Sequence, residues 1–347
     1  MAIEIIATGR AHPPRRVSNE ELAKEMDTSD EWIRSHTGIG SRYIAADEVA
    51  ASDLAVEAAR NALAMLAGVD VAGGQSAEAA IAQAALSLDM IVLATATPDF
   101  LAAPCTACVV QNKIGAKRAA AMDISAGCSG FVYGIETAVG FLSASARTRI
   151  MVIGTEILSR ITDWSNRSTC VLFGDGAGVV ILEKTSAPQE GTGRRGILRN
   201  ILKADGSGGE HLLCRQGAGR NPFKAGDVVD KSPHLEMNGQ AVYNFAVKTI
   251  TEIIPELIAL EGITLNDVAR IIPHQANARI IQAAAKRLKV PEEKFFLNIE
   301  KYANTSAASI PIALDELNRS GQLVKGDLII TIGFGGGLTS GANLIVW

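Results

Sequence analysis

Aromatic residues make up only 5% of the 347-residue chain, and neither sign of charge dominates: 33 Lys and Arg stand against 37 Asp and Glu, for a formal net charge of −4. A general nucleic-acid binder needs a dense basic field, so that class is excluded for the chain as a whole. No apolar run reaches the ~18 to 20 residues that span a bilayer. The opening MAIEIIATGRAHPP lacks the basic-then-apolar order of a secretory signal, and the expected setting is the cytoplasm with no membrane partner. Five scattered cysteines (Cys105, Cys108, Cys128, Cys170 and Cys214) are odd in number and too sparse for a disulfide framework. What the chain does have is 48% hydrophobic residues and 33 glycines, enough for a large, closely apposed core.

Hydrophobic runs and breakers give the order of elements. A strand IEIIATG opens the chain, Ser18 and Glu21 have capping-box spacing at a helix start, and a helix runs from Ser52 to about Ala67. The Gly- then Ala-rich 72–87 stretch reads as a loop leading into a helix. Buried strands follow in DMIVLATATPD and AAAMDIS, with Pro104 starting the helix between them. Then come a helix over 129–145, the strands RIMVIGTE and VVILEKT, and a Gly-, Pro- and charge-rich region, 187–236, around the strand ILRNILKA. The rhythm repeats with a helix 238–261 bent near Pro255, the strand VARIIPHQAN, a helix to Lys289, the strand KFFLNIE, a helix 306–320 and the strand DLIITIGFGGG. Apolar strands alternating with helices predict sheets buried on both faces, in halves 1–185 and 186–347, with ligands gathered at strand ends.

Cys128, in ISAGCSGF, stands where a strand gives way to a helix. A buried cysteine is commonly inert packing. Here Gly127 and Gly130 clear space beside it, and a helix N-terminus stabilises an anion by roughly 0.3 to 1 kcal/mol, up to ~2 when partly buried. At about 1.4 kcal/mol per pKa unit, the thiol is expected about one unit below its ordinary ~8.5. His274 in PHQAN and Asn304 in NTSAAS are, taken singly, a packed histidine and a helix cap. Together with Cys128 they form a Cys, His and Asn set of the kind used in acyl transfer, each at a strand-to-helix junction. The glycines of GFGGGLTSG (333–341) read as a tight turn or as backbone donors to a substrate oxygen. That stretch lacks the Gly-Lys-Ser/Thr ending of a phosphate loop, and GDGAG (174–178) lacks dinucleotide spacing and reads as chain packing. Cys105 and Cys108 are a single C-x-x-C near a helix start, read as packing rather than as a metal or redox pair.

Six segments run in one order from end to end: DTSDEWIRSHTGI (27–39), SAGCSGF (125–131), FGDGAG (173–178), PHQAN (273–277), YANTSAAS (302–309) and GFGGGLTSGA (333–342). In these the sequence resembles the β-ketoacyl-acyl carrier protein synthase III family. The resemblance implies an α/β thiolase fold, a five-layered αβαβα sandwich of two similar halves, assembled as a homodimer. It implies decarboxylative Claisen condensation of an acyl-CoA primer with malonyl-acyl carrier protein, initiating fatty acid synthesis, with no cofactor or metal because the coenzyme A thioester is itself a substrate. Residue by residue, it implies Cys128 as acylated nucleophile and His274 and Asn304 as donors to the malonyl thioester carbonyl. The backbone N–H groups of Cys128 and Gly336 match the oxyanion hole. Trp32 and Arg167 match an adenine sandwich, Gly239 and Asn277 the pantetheine path, and Arg279, Lys286 and Arg287, with Lys289 beside them, a basic landing surface for the acidic carrier.

Departures qualify the likeness. His36 stands where an arginine is common near the coenzyme A phosphates, and Asn244 replaces a commonly basic docking position. Ala103 replaces a bulky phenylalanine that closes the primer pocket across the dimer interface, which leads us to expect a roomier pocket for primers longer than acetyl. The 72–87 stretch is longer than usual for the family. Two other readings are a synthase III-like acyltransferase or ketosynthase of a secondary pathway with another acceptor, and a non-catalytic partner subunit. The retention of Cys128, His274 and Asn304 together argues against the latter, and Asn304 separates the chain from hydroxymethylglutaryl-CoA synthase and thiolase.

Overall fold

The computed structural model describes residues 1–186, 194–224, 226 and 234–347. Of the 187–236 region, residues 187–193, 225 and 227–233 lie outside the described residues. The first sheet is built from Ala2–Ala11, Asp175–Thr185, Arg149–Ile157, Met90–Ala94 and Ala120–Ile124, in that spatial order. The second runs Arg270–Pro273, Leu328–Gly335, Thr339–Val346 and Gly196–Ala204. In each sheet the parallel pairs sit at one side, where Met90–Ala94 pairs with both neighbours and Arg270–Pro273 with Leu328–Gly335, while antiparallel pairs complete the other.

Three apolar clusters set the layers. Ala55, Ala58, Ala62 and Leu63 of the helix Ala51–Ala67 pack with Ile91, Leu93, Ile153 and Val179 on the outer face of the first sheet. Between the sheets, Val132, Ile135 and Leu142 of Gly130–Ala144 and Ile310, Leu314 and Leu317 of Ser309–Arg319 meet Val92, Val152 and Val180 on one side and Ile272, Ile329 and Ile345 on the other. Ile250, Ile254 and Leu257 of Gly239–Glu261, with Ile281 and Ala284 of Ala278–Leu288, cover the outer face of the second sheet. The result is the αβαβα order, with both sheets buried on both faces, as continuously apolar strands require.

Several boundaries differ from expectation. The helix after Pro104 starts at Thr106, with Cys105 as its N-cap, because Asp123 accepts the amides of Thr106 and Ala107 at 2.7 Å each and fixes the first turn there. The capping box at Ser18 opens only a four-residue helix, Asn19–Leu22. Within GDGAG, read as chain packing, Asp175–Gly178 are strand residues: all four pair with Ile157–Gly154, and Ala177 and Gly178 pair also with Ala11 and Arg10. KFFLNIE is not a strand. The Gln275 side chain donates to Phe296 O at 3.1 Å and accepts from Asn298 N at 3.0 Å, occupying groups that a ladder would pair. A single bridge, Ile271 with Phe295, is all that remains.

Candidate active site

The strand Ala120–Ile124 delivers Cys128 into a 3-10 turn, Gly127–Ser129, one turn ahead of the helix Gly130–Ala144. Gly127 takes φ +50°, a left-handed conformation that favours glycine, and its backbone lies against that of Gly336. A side chain at Gly335 would come within 3.0 Å of Cys128 Sγ, so only a bare backbone fits beside the sulfur. The Ser306 hydroxyl and the backbone N–H groups of Gly336 and Cys128 are placed to favour the thiolate. These lower its pKa, yet burial outweighs them and pushes the thiol up to about 11. The expected lowering by the helix dipole is overturned: Cys128 precedes the helix in a separate turn, and the desolvation of a thiolate there exceeds what the surrounding donors return.

His274 follows the strand Arg270–Pro273 and is held by its own amide, which donates to Ile332 O at 2.8 Å. Its ring sits edge-on to Phe334, and Nδ1 lies 2.7 Å from Ser309 Oγ. Burial lowers its pKa to about 3, so the imidazole is neutral through the physiological range. Ser309 has one hydroxyl proton and two acceptors in reach, His274 Nδ1 and Ser306 O at 2.9 Å; donation to Nδ1 leaves the ring proton on Nε2. Asn304 is fixed by backbone bonds to Leu172 and Gly174 at 3.0 Å each. Its Oδ1 accepts from Ser306 N at 2.9 Å, which assigns the amide orientation and leaves Nδ2 without a protein acceptor among the described residues.

Cys128, His274 and Asn304 line one cavity of about 600 Å³, together with Trp32, Gly239, Asn277 and Gly336. Its walls are largely apolar, with Leu172, Leu213, Met237 and Phe334 among them, which suits a thioester arm with few charges.

The matches to known proteins follow this geometry. Residues 122–206 match the model for 3-oxoacyl-[acyl-carrier-protein] synthase III, and residues 258–347 match the model for its C-terminal part. The chain is 45% identical to the β-ketoacyl-[acyl-carrier-protein] synthase III of Caldanaerobacter subterraneus subsp. tengcongensis, covering 100% of this chain and 98% of the relative. It is 45% identical to that of Geobacillus kaustophilus, covering 100% and 99%. The crystal structure of the Aquifex aeolicus 3-oxoacyl-[acyl-carrier-protein] synthase III superposes with a TM-score of 0.86 at 40% identity, covering 100% of both chains. The chain belongs to the β-ketoacyl-[acyl-carrier-protein] synthase III family. A priming β-ketosynthase of the R1128 polyketide pathway is also similar, at 31% identity and TM-score 0.85 over 99% of this chain and 96% of that one.

In this synthase III chain the remaining candidates fall into two groups. Arg167 is not in the cavity wall; its guanidinium lies over the Trp32 ring at 4.3 Å, steadied by Asp27 at 3.8 Å, so the two flat groups meet each other directly. His36 stacks on Trp32 at 4.4 Å, and its carbonyl accepts from Asn277 Nδ2 at 3.0 Å. Arg279, Lys286, Arg287 and Lys289 are exposed on or just past the helix Ala278–Leu288, and among the described residues none of them is ion-paired. Asn244 is exposed. Ala103 is exposed and lines neither this cavity nor the neighbouring one of about 940 Å³, which Phe100, Leu101 and Cys105 line. Cys105 and Cys108 place their sulfurs 3.3 Å apart, and among the described residues no group of three or more His, Cys, Asp or Glu could hold a metal ion. Likewise, among the described residues no helix is long and apolar enough to cross a membrane.

The sequence reading passed over Ser306, Ser309 and Glu156. The two serines lie inside NTSAAS, where Asn304 is the residue whose side chain has the more evident chemical role. Glu156 carried its own signal: a carboxylate at the end of the apolar run RIMVIGTE, in a position too buried for an ordinary surface charge.

Proposed function

We propose that the protein acts by ping-pong condensation, with an acyl-CoA acylating Cys128 and malonyl-acyl carrier protein then supplying the nucleophile for a new carbon–carbon bond. The supporting observation is the shared cavity wall of Cys128, His274 and Asn304, with two backbone N–H groups at the sulfur. When the sulfur attacks the primer carbonyl, the N–H groups of Cys128 and Gly336 receive the oxyanion, an interaction that strengthens only as charge develops. Coenzyme A leaves, and the malonyl thioester takes its place.

Loss of carbon dioxide leaves an enolate, whose oxygen faces His274 Nε2–H and Asn304 Nδ2–H. A histidine with a pKa of about 3 stays neutral. It stabilises that oxygen by a hydrogen bond and does not quench the carbanion by giving up a proton. Trp32 and Arg167 take the adenine between them once the guanidinium swings off the ring, Gly239 and Asn277 flank the pantetheine, and Arg279, Lys286 and Arg287 receive the acidic carrier. Two copies pair with Ala103 near the shared boundary of their primer pockets, and the substrates suit a cytoplasmic enzyme that needs no cofactor.

The test is intact-protein mass spectrometry with a panel of acyl-CoAs, repeated with Cys128→Ala and followed by malonyl-acyl carrier protein. An adduct on the unsubstituted protein alone, discharged to β-ketoacyl-acyl carrier protein, is expected. An adduct that malonyl-acyl carrier protein leaves in place refutes condensation.

A further inference from the structure

The two turns that carry the backbone N–H groups of Cys128 and Gly336 come from different halves of the chain and meet with no side chain between them. A methyl at Gly127 would stand 3.1 Å from Gly336 O and 3.2 Å from Gly336 N, and one at Gly335 would stand 3.0 Å from Cys128 N. Such bare contact brings the turns close but lets them slide, because each dispersion contact is weak and has little direction. A pair of hydroxyls supplies the direction. Ser129 Oγ donates to Thr339 Oγ1 at 2.6 Å, and the Thr339 hydroxyl has two carbonyls at 2.8 Å, Ala126 O on the first turn and Gly336 O on the second. Ser129 is fully buried, and its Oγ also lies 2.7 Å from Ala126 O. Among the described residues, the hydrogen bonds that cross between the 126–129 and 336–339 segments are those of this hydroxyl pair.

We propose that Ser129 and Thr339 are positioning residues for acylation: their hydroxyls clasp the two turns so that the N–H groups of Cys128 and Gly336 converge on the oxyanion of the attacked thioester. This rests on the acyl-transfer reading above. The turn at Gly336 is also anchored from behind, since Leu338 N donates to Asp205 O at 3.0 Å and Asp205 N donates to Leu338 O at 2.8 Å. That anchor ties the far side of the turn to the end of the strand Gly196–Ala204 and leaves the side facing Cys128 to Thr339. The turn at Cys128 has its own internal bond, from Ser129 N to Ala126 O at 3.2 Å. Each N–H group is thus fixed within its own turn, and the clasp sets the spacing between the two.

The hydroxyl protons suffice for this. Two oxygens 2.6 Å apart need a proton between them, which Ser129 supplies, so the Thr339 proton is free for a carbonyl. Given to Ala126 O it bridges the turns directly; given to Gly336 O it bridges them through Ser129. An oxyanion hole works because its donors are fixed before charge develops and need no reorganisation during the reaction. The clasp meets that requirement at one end of the site only. The enolate formed from the malonyl thioester is met by His274 and Asn304, whose positions depend on Ser309, Leu172 and Gly174. Loosening the clasp therefore divides the chemistry: steps that pass through a tetrahedral intermediate on Cys128 slow, and decarboxylation is spared.

The test compares three rates in Thr339→Val, which removes the hydroxyl and keeps the shape: single-turnover acylation by acyl-CoA, decarboxylation of malonyl-acyl carrier protein, and alkylation of Cys128 by iodoacetamide. Alkylation takes place at a saturated carbon and forms no oxyanion, so it reads only the access and ionisation of the thiol. Acylation is expected to fall about 10²-fold, as when an oxyanion donor is misplaced, with alkylation and decarboxylation each within about threefold of the unsubstituted protein. Thr339→Ser, which restores the hydroxyl, is expected to recover acylation to within about threefold, and Ser129→Ala to lower it about tenfold by removing one link. Acylation within about threefold in both Thr339→Val and Ser129→Ala, or all three rates falling together in both, overturns the clasp. Failure of the unsubstituted protein to acylate at all is a separate result that removes the acyl-transfer reading, and the clasp with it.

Discussion

Gly154→Ala is a single-methyl probe of how the two halves of the site are held together. Gly154 sits in the strand Arg149–Ile157, against the turn that carries Ser306, Ala307 and Ala308. A methyl there would stand 2.2 Å from Ala307 O, 2.7 Å from its carbonyl carbon and 3.1 Å from Ala308 Cα. All three are backbone atoms that no side-chain rotation can move. An ordinary carbon–oxygen contact is about 3.3 Å or more, so the turn has to retreat by about 1 Å. That turn follows Asn304, supplies Ser306 and leads into Ser309, so the displacement reaches the hydrogen bonds of both His274 and Cys128. A misplacement of this size costs about 10²-fold in rate, and overpacking costs about 1–3 kcal/mol in stability. Single-turnover acylation, decarboxylation of malonyl-acyl carrier protein and a denaturant melt measure the two effects. Gly140→Ala is the control: nothing lies within 4 Å of its added methyl, it sits inside the helix Gly130–Ala144, and the change is expected to stabilise by about 0.5–1 kcal/mol at unchanged rate. Gly154→Ala with both rates within threefold of the unsubstituted protein and an undiminished melt would refute the packing argument.

Acid stability follows from His274: its folded pKa is about 3 against 6.5 for the free side chain, so below 6.5 the unfolded chain binds a proton the folded one refuses. Stability is therefore lost as pH falls from 6.5 toward 3, by up to about 5 kcal/mol at the limit, and His274→Gln should flatten that limb in urea midpoints measured across the range. Trp32→Ala should raise KM for acyl-CoA about tenfold, the loss of roughly 1–3 kcal/mol of base stacking, while the rate of acylation at saturation is preserved; an unchanged KM takes adenine away from Trp32. Reversing Arg279 to Glu should raise KM for malonyl-acyl carrier protein several-fold and leave acyl-CoA untouched, and an unaltered KM removes Arg279 from the docking surface. With acetyl replaced by longer primers, kcat/KM should rise; equal or better values for acetyl-CoA than for every longer chain refute the roomier pocket inferred from Ala103.

Much of the architecture was legible because strand and helix signals in this chain are strong and agree with tertiary demands. The runs at 90–94 and 150–154 are apolar throughout and that at 328–335 is broken only by Thr331, a pattern that suits strands covered on both faces, and helices on alternate sides follow from that. Cys128, His274 and Asn304 were legible as a set because each lies in a short motif of distinctive composition, and the first two follow apolar strands; Asn304 instead follows the short helix Ile299–Tyr302. KFFLNIE reads as a strand by the same logic and is not one, because Gln275, distant in sequence, occupies its backbone groups.

The sequence by itself determined most of the order of elements, because periodicity is a local property, and through its six motifs the family; it also brought Cys128, His274 and Asn304 forward as candidates. The electrostatic state of the site belonged to the tertiary structure alone. Whether a thiol ionises easily depends on how much water, how many donors and which charges surround it, and here those are set by burial, by Ser306 and Gly336, 178 and 208 positions away, and by the opposing charge of Glu156, all brought near only by tertiary packing. For that reason a cysteine read as easily ionised proved to be one that burial keeps protonated.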